Sequence, residues 1–424
     1  MKKLLLVLLA AVAVLSASAQ SAVETDQALA AYIHANHYRT GVNTNPYEYI
    51  PVAETPVPKG YKPFYISHYG RHGSRSDWDG DYSNVIAMYE KAHRAGVLTE
   101  AGEEAYQIIC DIYRQHNGMN GRLTARGARE HRAIAHRMYE KYTKVFTKGS
   151  RKVRAVSSVV PRCIVSMAAF TGELLSIDPK LDVSWDTGER FMEYCSSNDP
   201  KEVKKEAYVL IEKHANSFEG DTLSFQKRVF KDVEAGRAVV GSGLALLEGT
   251  LEFAAISGAF DYDTFLLDLI DEEILLHYSR NISLNLFLRQ CNSAEFGDRR
   301  MAVPEVKNLV NDFVVKADGV IGGDDDTVAD FRFGHDYQLL AFCARIGIKG
   351  IGERLTAEQA VNWPGYFFSP FAGNVQAVFY RNGKDNDVLV KFFINERETR
   401  LLTLPGGPYY HWEDVRNEFI SYLN

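Results

Sequence analysis

Between Ser67 and Arg75 the chain reads Ser-His-Tyr-Gly-Arg-His-Gly-Ser-Arg, so two arginines, two histidines and two glycines directly follow the apolar run Phe64-Tyr65-Ile66. A guanidinium can grip phosphoryl oxygens two at a time, and a neutral imidazole nitrogen can attack phosphorus in line. The apolar run reads as a buried strand, and the exit from a strand into a turn is where an α/β sheet places its ligand. These residues point to phosphoryl chemistry, with His72 as candidate nucleophile and Arg71 and Arg75 as candidate phosphate ligands. A purely structural turn histidine is the competing reading of His72, and the two arginines beside it argue against that. His68 has no such neighbours and reads as part of the strand end.

Arg-His-Gly-x-Arg after a strand also resembles the signature of the histidine phosphatase superfamily. Two further matches follow in order: Arg162, in Val156-Ser157-Ser158-Val159-Val160-Pro161-Arg162, and His335-Asp336, in Phe331-Arg332-Phe333-Gly334-His335-Asp336. With all three, the chain resembles the histidine acid phosphatase branch, which includes phytases and multiple inositol polyphosphate phosphatases. The resemblance implies a phosphohistidine formed on His72, phosphate held by Arg71, Arg75, Arg162 and His335, and Asp336 as the acid that protonates the departing oxygen. Three fixed guanidiniums can carry the charge of phosphoryl transfer without a metal. Asp336 also stands where a helix N-cap belongs, which is a structural use of the same residue. The chain departs from part of the family: the multiple-type enzymes usually carry His-Ala-Glu where this one has His335-Asp336-Tyr337, and no proline follows Arg75. The subfamily stays open.

The elements that must position these residues follow from periodicity. Strands are expected at Phe64 to His68, Arg151 to Ser158, Val328 to Phe333, Val375 to Tyr380 and Val388 to Ile394, with a further one at Thr399 to Leu404. Helices are expected at Asp26 to Ala35, Ser83 to Ala95, Ala101 to His116, Thr124 to Phe146, Arg162 to Leu175, Tyr337 to Ile346 and from Trp412. Alternation of this kind predicts an α/β fold, a mostly parallel sheet flanked by helices. After Asp186 the segments Lys201 to Ser217, Leu223 to Glu234, Arg237 to Ile256 and Tyr262 to Leu288 all read as helices. They predict an inserted helical cap domain over residues 186–318, between core segments 20–185 and 319–424. The acidic, glycine-containing stretch Asp318 to Asp326 marks the return to the core, and Asp324 to Asp326 lacks the spacing of a calcium loop.

Lys2-Lys3, the apolar run Leu4 to Leu15 and Ser16-Ala17-Ser18-Ala19 follow the order of a secretory signal. That run is shorter than the roughly 20 residues a bilayer requires. Residues 1–19 are therefore expected to be a signal peptide cleaved after Ala19, giving a secreted or periplasmic protein with no membrane association once cleaved. The composition of the whole sequence, 46% hydrophobic and 12% aromatic in 424 residues, supports a sizeable core. A formal charge of −7 argues against nucleic acid as a partner. The five cysteines are widely spaced and odd in number; Cys110, Cys163 and Cys343 lie in apolar helical surroundings and read as small buried hydrophobes. No cofactor is expected, and the motifs carry no metal-ligand pattern.

Arg122, Arg126, Arg129, His131, Arg132, His136 and Arg137 form a basic cluster behind Leu123-Thr124-x-x-Gly127, itself similar to a family element. Two readings stand: a solvated helix face paired with Glu130 and Glu140, or a set of contacts to peripheral phosphates at the pocket mouth. The sequence expectation is an exported, metal-independent phosphomonoesterase acting on small-molecule phosphate esters, phytate and other inositol polyphosphates first. A broad or sugar-phosphate acid phosphatase is the alternative, and a non-catalytic phosphate-ester binder the rival from another class.

Overall fold

The apolar run at Phe64 lies within strand β1 (Lys62–Arg71) of the computed structural model, which describes residues 23–77, 82–197, 200–215, 222–383 and 387–423. The expected signal peptide, residues 1–19, lies outside the described residues. From Tyr65 onward β1 is buried on both faces: Tyr65 and Tyr69 enter one apolar layer, while Ile66 and His68 enter the other. This period-2 partition explains why the strand reads as a continuous apolar run rather than an alternating one.

Seven more strands complete the sheet: β2 (Lys152–Ser157), β3 (Asp182–Thr187), β4 (Ala329–Gly334), β5 (Asn374–Arg381), β6 (Val388–Ile394), β7 (Arg397–Glu398) and β8 (Tyr409–His411). Their order is β3-β2-β4-β1-β5-β6-β7, with β8 also paired to β6. The first four run parallel, and β5 to β8 add antiparallel. The expected α/β class with a parallel core is what the chain adopts. Register aligns Arg71 with Gly334 and Ser157 with Phe333, so the carboxyl ends of β1, β4 and β2 finish side by side.

Helices cover both faces. The helices Ala125–Lys141 and Pro161–Ile177 enclose Ile66, Phe331 and Phe333, while those at Glu272–Gln290, Pro304–Gly322, Asp336–Arg345 and Trp412–Ser421 close over Tyr65 and Tyr69. A second core is separate from the sheet and joins Tyr82–Ile112 to Phe225–Leu275 around Tyr89, Ile109, Phe225 and Leu246.

Some boundaries differ from expectation for local reasons. The helix expected at Thr124 to Phe146 ends at Lys141, where Tyr142 leaves helical geometry, and a short turn of helix follows at Thr143–Thr147. Gly241, at φ 85°, splits the Arg237 to Ile256 segment, and Ser242 then caps the helix Gly243–Ser257 by accepting from the Ala245 N–H. Thr399 to Leu404 is not a strand; pairing stops after Arg397–Glu398, and Leu401 only bridges Ile348. Residues 318–322 are helical rather than part of a return loop, and Asp318 accepts from the Trp412 indole N–H at 2.9 Å. β3 escapes notice because it is a polar, mostly exposed edge.

Candidate active site

β1 ends at Arg71, and backbone hydrogen bonds fix what comes next: the Arg71 N–H donates to Gly373, the His72 N–H to Gly334, and the Ala372 N–H to the His72 carbonyl, at 2.8 to 3.0 Å. His72 is 2% exposed and its Nδ1 lies 2.9 Å from the Gly73 carbonyl. Because a carbonyl can only accept, Nδ1 carries the proton and Nε2 keeps its lone pair. Burial, then the charges of Arg71, Arg162 and Arg75, hold the imidazole pKa well below its ordinary value, so the ring stays neutral in acid.

The guanidiniums converge from three places. Arg71, at the end of β1, donates through one nitrogen to the carbonyls of Asn43 (2.6 Å) and Ser369 (3.0 Å), and through the other lies 3.1 Å from Asp336. Arg75 donates to the Ser76 carbonyl at 2.9 Å, and both guanidiniums lie against the ring of Phe371, at 4.8 and 5.9 Å. The Nε atoms of Arg71 and Arg75 are buried without an acceptor among the described residues, a costly state that an anion's oxygens would relieve. Arg162, in the first turn of the helix opened by Pro161, reaches to 3.5 Å from His335 Nδ1. Burial and the neighbouring arginines lower Arg71 to about 10 and also lower Arg162, the signature of positive charge packed without enough counter-charge.

His335 and Asp336 follow β4 directly. Tyr69 positions the first: its hydroxyl accepts from the His335 N–H at 3.0 Å and donates to the Cys195 carbonyl. With Arg162 donating to Nδ1, the proton sits on Nε2, 3.3 Å from Ser158 Oγ, and the ring stacks on Tyr337. Burial, then Arg162, pushes its pKa to about 3. The His335 and His72 ring centroids are 5.8 Å apart. Asp336 is the first residue of its helix rather than the cap. Its Oδ2 accepts from Asn43 Nδ2 at 3.0 Å and faces Arg71, while Oδ1 accepts from the Tyr337 N–H. Burial raises its pKa, but Arg71, Asn43 and Arg75 outweigh that and hold the carboxyl below its usual range. These contacts favour the carboxylate form of Asp336.

All six residues singled out from the sequence, Arg71, His72, Arg75, Arg162, His335 and Asp336, are thus brought together at the carboxyl edge of the sheet. His68 is not; it is buried among Phe170, Phe331 and Phe333, with burial lowering it to about 3. The basic helix has a role not foreseen. Its inner face carries Glu130, whose oxygens accept from the Ser74 N–H and hydroxyl at 2.7 Å and from the Tyr47 N–H at 3.1 Å, so Glu130 is a buried anchor for the loop that carries His72 and Arg75 rather than a surface partner. Thr124 both caps this helix and holds the Ser74 carbonyl, and Gly127 abuts Gly73 and Ser74 so closely that a Cβ there would lie 2.2 Å from Ser74 O. Leu123-Thr124-x-x-Gly127 is the cradle of the loop. On the outer face Arg129 pairs with Asp261, His136 with Glu173, and Arg137 with Glu396. Arg122 and Arg126 line a cavity of about 210 Å³ beside Ser76, closed opposite by Ala259, Phe260 and Asp261.

Asn43, Tyr69, Ser158 and Phe371 were not read from the sequence. Asn43 lies 293 residues from Asp336, on a short helix, and no motif marks it. It follows Val42, buried at φ 50°, and Phe371 precedes Ala372 at φ 53°; strained non-glycine backbone on both sides gathers at functional sites. All five cysteines are free; Cys163, Cys195, Cys291 and Cys343 are buried, and the Cys163 thiol donates to the Gly334 carbonyl behind His335. Asp325 and Asp326 pair with Arg154 and Lys152.

No family model matches the chain, and no curated protein matches it in sequence. Among solved structures it is similar to the multiple inositol polyphosphate phosphatase of Bifidobacterium longum. In complex with phosphate that structure gives a TM-score of 0.67 at 17% identity, covering 90% of this chain and 97% of that one. In complex with inositol hexasulfate it gives 0.66 at 17% identity, covering 89% and 97%. The phytase from D. castellii gives 0.65 at 13% identity, covering 92% and 86%. The fold implied by the resemblance to the histidine acid phosphatases is the fold observed.

Proposed function

We propose that the chain is an exported, metal-independent phosphomonoesterase that hydrolyses inositol polyphosphates through a phosphohistidine on His72. The observation that carries the reading is the lone pair of His72 Nε2, set by the Nδ1–Gly73 hydrogen bond inside a ring of three guanidiniums. Substrate phosphate enters that ring and takes up the buried Nε donors of Arg71 and Arg75. Nε2 attacks phosphorus in line, the ester oxygen leaves, and charge on the equatorial oxygens is held by Arg71, Arg75 and Arg162. Asp336, held toward its carboxylate form before binding, takes up a proton from the acidic solvent when the phosphate's negative charge competes for Arg71 and Arg75. Its proton passes to the leaving oxygen, and the resulting carboxylate then activates the water that hydrolyses the phosphohistidine.

The substrate class is supported by Arg122, which with Arg126 lines a cavity next to Ser76, the residue after Arg75, and could meet further phosphates on the same molecule. Residues 186–318 would act as the cap, since Ala259 to Asp261 close that cavity. Export rests on the leader-like first 19 residues.

The test is phosphate release from phytate and p-nitrophenyl phosphate between about pH 4 and 7 with EDTA present, for wild type and His72→Ala. Release that survives EDTA and vanishes in His72→Ala is expected. Phytate bound but never hydrolysed by the wild type would make the site a binding module and sink the proposal.

A further inference from the structure

Away from the sheet edge, three side chains able to ligate a metal meet where the helix Asp26–Ala35 passes into the short helix His37–Thr44. His34, His37 and Glu272 place their donor atoms within 4.8 Å of one another. The histidines lie 238 and 235 residues from Glu272 in sequence, so no spacing motif reveals the group.

The geometry around His37 is that of a metal ligand with its orienting partner. Nδ1 donates to Asp268 at 2.7 Å, which fixes the tautomer and leaves the lone pair on Nε2. Among the described residues Nε2 is buried with no hydrogen-bond partner, yet it faces Glu272 Oε1 at 3.6 Å. That distance is too long for a good hydrogen bond, whereas two donors about 2.0–2.1 Å from a tetrahedral zinc stand about 3.4 Å apart. His34 Nδ1 touches the same Oε1 at 2.5 Å, and its exposed ring needs only a small rotation to open ligand spacing. Two imidazoles and one carboxylate leave the fourth tetrahedral position to water. Glu272 and Asp268 together neutralise a divalent ion.

We propose that His34, His37 and Glu272 bind a borderline divalent metal, zinc(II) before others, with Asp268 orienting His37. Imidazole and carboxylate together select zinc-like ions over calcium or magnesium, which take all-oxygen sites. The ion clips the N-terminal helix to the helix Glu272–Gln290, at the head of the short helix whose far end carries Asn43. Its work is structural, so it is compatible with hydrolysis that needs no metal.

The experiment is zinc titration of the EDTA-stripped, buffer-exchanged full mature chain by calorimetry, with thermal unfolding and the visible spectrum of the cobalt(II) form recorded alongside. One zinc per chain, a melting temperature that rises with zinc, and a tetrahedral cobalt spectrum are expected. His37→Ala and the conservative Glu272→Gln should each weaken binding at least tenfold. His93→Ala, which disrupts an ordinary surface histidine–carboxylate pair, should leave it unchanged. No stoichiometric binding by the folded wild type, or equal binding by Glu272→Gln and wild type, would overturn the proposal. No substrate is present in these measurements, so their outcome is independent of the catalytic reading.

Discussion

Gly127→Ala puts the cradle of the loop that carries His72 and Arg75 to a quantitative test. An added Cβ would lie 2.2 Å from the Ser74 carbonyl oxygen and 2.7 Å from its nitrogen, both backbone atoms, where ordinary contact begins at 3.4 Å. Relief requires the helix and the loop to part by about 1 Å, and Ser74 sits between Arg75 and the Gly73 carbonyl that fixes the His72 tautomer. Overpacking of this kind costs about 1–3 kcal/mol, partly offset by up to about 1 kcal/mol of better helix propensity. A 1 Å misplacement of reacting groups costs on the order of 10²-fold in rate. The expected result is a folded protein, destabilised by about 1–2 kcal/mol in urea, with kcat/KM on p-nitrophenyl phosphate reduced roughly 100-fold. Gly172→Ala, on the neighbouring helix with open space around its Cβ, serves as control and should be neutral or stabilising by up to about 1 kcal/mol. If Gly127→Ala keeps both wild-type stability and wild-type kcat/KM, the close approach does not position the loop.

Asp336→Asn should slow esters with poor leaving groups most, so an alkyl phosphate should lose far more rate than p-nitrophenyl phosphate; equal losses would remove Asp336 as proton donor. Asn43→Ala takes a donor from the ionised form of Asp336, so the carboxyl pKa should rise and the alkaline limb of the kcat profile should move to higher pH; an unmoved limb would break that link. His68 and His131 are buried neutral, with pKa values of about 3 against an ordinary 6.5. The unfolded chain binds protons at these positions below about pH 6.5 and the folded chain does not, so each should cost about 1.4 kcal/mol of stability per pH unit on acidification toward pH 3. Urea unfolding at pH 6 and pH 5 checks this: His68→Leu should flatten the slope by roughly that amount, and an unchanged slope would mean that His68 charges in the native state.

What was legible and what was not separates along a physical line. Local chemistry writes itself into short windows. Thr124 before Ala125 and the apolar run of β1 gave elements, and the strand exits at Arg71 and His335 located the ligand edge. The six site residues were readable because each lies at or shortly after the carboxyl end of a parallel strand, where an α/β sheet presents side chains to a ligand. β3 was hidden because an edge strand can be polar, and the breaks at Tyr142 and Gly241 turn on single backbone angles that propensity does not resolve.

The sequence alone determined which residue types gather in the candidate site and the helix-and-strand alternation that holds them, since these depend on residue type and on spacings of a few residues. Only the tertiary structure decided the protonation and orientation of those groups. The tautomer of His72 depends on the Gly73 carbonyl, the charge of Asp336 on Asn43 and Arg71, and the placement of His335 on Tyr69. Glu130 changed from a presumed surface partner to a buried anchor for the same reason. Electrostatic energy in a water-poor site is set by which groups lie within a few ångströms, and residues up to 293 positions apart become such neighbours only when the sheet assembles.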